Sequence, residues 1–332
     1  MKFDLTRQTF VPAFLTLAAL AATAVYAFRS GEATAAVPFA VPGGEAPWMP
    51  GLLLSRFQSA FPAWAQALTC LLIVATGTRT GYLPVRYSLY TVNTYLAVPF
   101  FGIIACGLGI GHLDLYTFVC AFLLILSIRN FCRAYSPNFA FDPIFRGALY
   151  LGMLVVLCPK TSPLLLLLPL ALVQFHRTLR ELIIAVAGLL LPVLTLCYVN
   201  WGAGHPFLAP IFVMVRELPQ GEFMRLFFDM SFQAQCLGGA ILFCVLCALF
   251  SFRSQLYVTS VKAQRIVAFH LEAFLLTLAI AMLPDAPTLV FALAAIPAAI
   301  LLPWFFVENH PIVAQPAYLL LLAGAFASMY LQ

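Results

Sequence analysis

Residues 182–200 read Leu-Ile-Ile-Ala-Val-Ala-Gly-Leu-Leu-Leu-Pro-Val-Leu-Thr-Leu-Cys-Tyr-Val-Asn, without one charge. A helix needs about twenty apolar residues to cross the hydrocarbon of a bilayer. Runs of similar character lie near 10–28, 61–77, 88–111, 115–128, 236–252, 266–283, 288–307 and 311–331. Only 9% of the 332 residues are charged and 63% are hydrophobic, against roughly 25% charged in a soluble domain. Water cannot solvate such a surface, so lipid must cover it. The expected fold class is all-α, a polytopic transmembrane bundle in a single domain spanning 1–332.

A less ordinary stretch lies at 147–175. Two apolar runs, 147–158 and 164–175, are separated by Pro159-Lys160-Thr161-Ser162-Pro163. Each is short for a crossing. They read either as a pair of short helices meeting at a Pro-bounded tip or as a re-entrant hairpin covered by protein. Counting both as crossings predicts about eleven membrane segments. With the N-terminus in the cytoplasm, Arg29, Arg56, Lys160, Arg216 and Arg225 then fall outside, and the other twelve of the 17 basic residues fall inside. That bias supports the orientation and places the chain in a bacterial inner membrane. The run at 10–28 is longer than a signal-peptide core and reads as a retained first helix.

Two external segments are more than loops. In 29–60, the stretch from Gly51 to Phe61 predicts a short amphipathic helix. In 203–235, Glu222, Arg225 and Asp229 recur at helical spacing opposite Phe223, Leu226, Phe227 and Met230, predicting a helix in the outer interface with its apolar face down.

Soluble-enzyme signatures are missing: there is no phosphate-cradling glycine loop, HExxH or nucleophile elbow. Nine cysteines lie in or beside apolar runs and read as buried thiols. No metal site, cofactor or nucleic-acid partner is expected. Membrane lipids are. External cations such as Lys160, Arg56, Arg216 and Arg225 suit the phosphate of a lipid, the plain alternative being solvated loop charge. Lys160 stands out, because its Pro-flanked tip has no need of a charge. Inside the membrane, His270 and Glu272 form the one close ionisable pair within a spanning helix, a default functional candidate, though two residues apart they point to different faces. Arg129, Arg133, Arg177 and Arg180 read as topology anchors at anionic headgroups. Asp142 and Arg146 are spaced to pair across one turn, with Asp142 as N-cap before Pro143.

The stretch from Phe145 to Lys160, the following leucine run, His176-Arg177-Thr178-Leu179-Arg180-Glu181 and the helix with Gly188 and Pro192 resemble a family of uncharacterised multipass membrane proteins from Bacteroidota. Its members are sometimes labelled beta-carotene monooxygenase, but the ordered histidines such an iron enzyme needs are missing here. More loosely, the stretch resembles the GT-C membrane glycosyltransferases. That resemblance implies transfer from a polyprenyl-phosphate-linked sugar at the external leaflet, with Glu32 or Glu45 as base and Lys160 and Arg56 on phosphate. Gly147 and Gly152 stand five apart rather than the four of the family's helix. The other reading is a non-catalytic subunit or transporter of an envelope pathway.

Overall fold

The computed structural model describes residues 8–29, 49–108, 114–135, 139–216, 223–228, 230–255, 257 and 259–330. They form α1 (Phe10–Arg29), α2 (Pro50–Ala60), α3 (Pro62–Arg86), α4 (Ala97–Gly107), α5 (Leu115–Arg133), α6 (Phe141–Leu157), a 3-10 segment (Pro159–Leu166), α7 (Leu167–Gln174), α8 (Leu179–Gly202), α9 (Ala209–Arg216), α10 (Arg225–Phe228), α11 (Phe232–Ser254), α12 (Val261–Met282), α13 (Leu289–Leu301), α14 (Pro303–Glu308) and α15 (Pro311–Tyr330). No strand occurs among the described residues. The chain is an all-helical, multi-pass membrane bundle.

Among the described residues, seven spans are long and apolar enough to cross a membrane, with α13 and α14 counted as one, or eight if α2 and α3, bent by 119°, also count as one span. The shortfall from the eleven expected segments has a plain cause. By itself α3 is too polar, α4 has 11 residues, α6 has 17, and the return limb of the hairpin is an 8-residue 3-10 turn plus an 8-residue helix.

The core is built around α13–α14, 94% of whose span is buried, whereas the figure for α8 is 22%. Helix α8 therefore turns its leucines outward to lipid, while α13 is sheathed by α3, α4, α5, α11 and α12. Every residue of α13 and α4 is buried, so neighbouring helices enclose both.

Side-chain contacts at the helix termini sort into two ends. At one end, Gln255 Nε2 donates to Glu308 (2.8 Å), Arg265 donates to Gln174 O (3.1 Å), and Lys262 lies over the Tyr87 and Tyr135 rings. At the other, Gln58 donates to Asp114 (3.0 Å), Tyr116 to Leu157 O (2.9 Å) and Lys160 to Asp285 O (3.2 Å). Lys160 and Gln174 thus meet opposite ends of α12, so the hairpin at 147–175 runs the length of that helix.

The expected run at 88–111 is not one helix. Residues Leu89–Leu96 are irregular, with Leu89, Tyr90, Thr94 and Leu96 buried, and only Ala97–Gly107 is helical. Tyr90 shows how it is held: its hydroxyl donates to Ile300 O (2.7 Å) and its ring meets Trp304 edge-on, filling the break that Pro303 makes between α13 and α14. Tyr90→Phe should lower stability by about 1–2 kcal/mol, read as a drop in the detergent melting temperature. No drop would mean that Ile300 O finds another donor.

The tightest helix pair is α6 with α8. A Cβ on Gly152 would fall 2.6 Å from Leu189 O, and one on Gly188 2.7 Å from Phe145 O. Gly147 faces Phe131 of α5, and its carbonyl accepts the Ser127 hydroxyl (2.8 Å). The glycines of the resembling stretch are therefore packing contacts, small residues that let backbones touch.

Candidate functional site

Helices α11 and α12 follow one another in the chain yet make almost no contact along their described lengths. Between them lies a recess of about 460 Å³, within the range of ligand pockets, floored by Ile104 and Leu108 of α4 and Phe291, Ala294 and Ala298 of α13. Met224, Phe227 and Phe228 of the α10 segment close one end, and Phe274 and Leu278 of α12 form a wall. The α11 wall owes its openness to Gly238 and Gly239. A Cβ on Gly239 would meet nothing within 4 Å. Among the described residues, the one polar side chain in the lining is Gln235, whose amide donates to Phe227 O (3.0 Å) and Met230 O (3.2 Å). That amide ties α10 to the first turn of α11, and Ser231 caps α11 through Ala234 N–H, so the lid is fastened at its base.

Two of the sequence-predicted cations stand beyond the α12 wall. Met224 N–H donates to Met282 O (3.1 Å), which puts Arg225 at the C-terminus of α12. Lys160 donates to Asp285 O at the same terminus. These positions lie one to two turns past Leu278. Lys160 has no carboxylate partner among the described residues, where the two ion pairs are Arg146–Asp142 and Arg177–Glu181. Its ammonium is held by a backbone carbonyl.

The other two cations form a separate group. Arg56 on α2 and Arg216 on α9 are exposed and flank a small apolar cluster of Met49, Val156 and Leu196, packed with Leu52 and Val213. The short helix expected at Gly51–Phe61 is α2, and Gln58 moors it to the start of α5. Glu32 and Glu45 lie outside the described residues, as do Glu222 and Asp229. Of the stripe predicted in 203–235, Leu226 and Met230 are buried and Phe227 lines the recess, whereas Phe223 is 70% exposed. The described helix is one turn, Arg225–Phe228. Leu226 turns into the protein and Phe227 into the gap between α11 and α12.

His270 and Glu272 are not in the recess. His270 is fully buried with Nδ1 2.7 Å from Ile266 O, and Nε2 has no partner among the described residues. Glu272 is half-buried. No group of three His, Cys, Asp or Glu suited to a metal exists among the described residues. All nine cysteines are free, and Cys236 is exposed.

Two expectations at the arginine-rich turns are corrected. Asp142 does pair with Arg146 (2.7 Å), but it lies in the first turn of α6, and Ala140 occupies the N-cap. Arg177 is no surface anchor. Its side chain is buried against Glu181 (3.3 Å) and donates to Ala134 O. Glu181 also accepts from Ala140 N (2.8 Å) and Thr178 N (2.9 Å), closing a capping box at the start of α8. The signal was present as Thr178-Leu-Arg-Glu181 ahead of an apolar run.

Fold and recess define a multi-pass helical membrane protein with an apolar pocket opening between two of its helices. No family model, no curated protein and no solved structure matches the chain.

Proposed function

We propose that the protein binds a long-chain lipid phosphate, with the chain in the α11–α12 recess and the phosphate beside Lys160 and Arg225. The observation that carries this is the recess itself: apolar, bordered by spanning helices that part, with a lysine fixed past one wall that has no carboxylate partner among the described residues. A hydrocarbon chain can enter between α11 and α12 without leaving the bilayer, and a phosphate oxygen is the natural counter-charge for Lys160. The sorting of terminal contacts into two ends supports eleven crossings, and the positive-inside bias supports a cytoplasmic N-terminus and an inner-membrane location. On this reading the Lys160 end faces the external leaflet.

A polyprenyl-phosphate-linked sugar is the ligand that would make the protein a GT-C-like transferase. Glu32 or Glu45 would then take the proton of the acceptor hydroxyl, and Arg56 and Arg216 would extend the cationic surface. Without that chemistry the same recess serves a lipid-binding subunit or transporter of an envelope pathway.

Lipid co-purification tests the binding. Wild-type protein in mild detergent should carry a phosphate-bearing long-chain lipid. Gly239→Trp, which puts an indole into open space, should reduce it by about tenfold or more. Lys160→Gln should weaken it less, with the melting temperature unchanged. Full retention in Gly239→Trp would sink the proposal. Sugar release from a polyprenyl-phosphate donor, lost in Glu32→Gln or Glu45→Gln, separates transferase from binding subunit.

A further inference from the structure

The opposite end of the bundle holds a second charged feature. There the C-termini of α3 and α5 meet the start of α12. Lys262 Nζ lies 4.9 Å from the centre of the Tyr87 ring and 5.6 Å from that of Tyr135, a cation held between two aromatic faces. Burial pushes the Tyr87 phenol up, and Cys132 adds to this, while Arg86, Arg133 and Arg129 pull it down. Arg79, Arg86 and Arg133 also act on Arg129. Three arginines and a lysine from three helices therefore gather around Tyr87, and Arg79 adds its charge beside Arg129. Arg129 is half-buried, and Arg79, Arg86 and Arg133 are exposed.

None of the five has a carboxylate partner among the described residues, where both ion pairs are made by other arginines. The contrast with Arg177 is informative, because that arginine is buried and has Glu181. Fixing topology requires only that cations remain on one side of the membrane. It does not require them to converge. Like charges gathered at a partly buried site repel unless an anion lies among them.

We propose that this cluster is a binding site for the headgroup of a membrane phospholipid bearing two phosphates. Four guanidinium forks offer more donors than one phosphate can accept, and each fork matches phosphate geometry. The cluster sits at the ends of spanning helices, the level at which headgroups stand, and basic pockets between such helices are built for them. The site is independent of the α11–α12 recess.

The test uses full-length protein in nanodiscs of zwitterionic phosphatidylcholine doped with diphosphatidylglycerol or phosphatidylglycerol, read by native mass spectrometry. Diphosphatidylglycerol should be retained about tenfold over phosphatidylglycerol. Arg86→Gln with Arg133→Gln, both at exposed positions, should abolish that preference, and Arg86→Lys with Arg133→Lys should keep part of it. Arg146→Gln, at a paired arginine outside the cluster, should leave it intact. So should Gly239→Trp, which separates this site from the recess. Unchanged preference in the double Gln variant would overturn the proposal, as would complete displacement of the lipid by inorganic pyrophosphate alone.

Discussion

Replacing Glu181 with alanine should destabilise the protein by about 3–5 kcal/mol, the cost of leaving one partner of a buried ion pair alone. The carboxylate is 1% exposed and satisfies two backbone N–H groups, those of Ala140 and Thr178, as well as Arg177. Its loss orphans both amides and leaves a guanidinium, 8% exposed, without its carboxylate. Arg177 in turn donates to Ala134 O. The variant thereby loosens the α5–α6 connection from the α7–α8 turn. Glu181→Gln keeps an acceptor and should fall between wild type and alanine. Thermal unfolding in detergent would measure the series, and equal stability of Glu181→Ala and wild type would show that water takes over these bonds.

Gly188→Leu should be nearly as damaging, at the upper end of the about 1–3 kcal/mol typical of overpacking. The obstacle to a Cβ at Gly188 is the Phe145 carbonyl, with the Phe145 ring 3.1 Å away. Across the same interface the Gly152 position meets Leu189 O. Backbone cannot turn aside as a side chain can, so the two helices must separate. Since α6 is the chief partner of α8, the variant should free α8 and expose it to protease at both ends. Limited proteolysis together with the melting temperature checks this. A variant as resistant as wild type would mean that the interface is looser than its contacts imply.

How much of this was legible beforehand follows from the physics of each signal. Spanning runs announce themselves by length and lack of charge, so α1, α8, α11 and α15 could be read directly. The Pro-bounded tip at Lys160, the helix at Gly51–Phe61 and the Asp142–Arg146 pair are local patterns, and all three are present. The irregular segment Leu89–Leu96 was hidden because its neighbours are apolar, although Thr91, Asn93 and Thr94 mark it in hindsight. The recess was invisible for a deeper reason. A helix surrounded by lipid on one side and apolar protein on the other shows no contrast between faces. Nothing in Gly238-Gly239 or in Ala294 and Ala298 says that they leave a space in common. Likewise, His270 was noticed as an ionisable group, but its complete burial away from the recess depends on contacts distant in sequence.

The most direct measurement is an electron cryo-microscopy map of the protein in nanodiscs of native lipid. An elongated density between α11 and α12, ending in a headgroup beside Lys160 and Arg225, is the expected result. Side chains of α11 packed directly against α12, with no space for a chain between them, would contradict it.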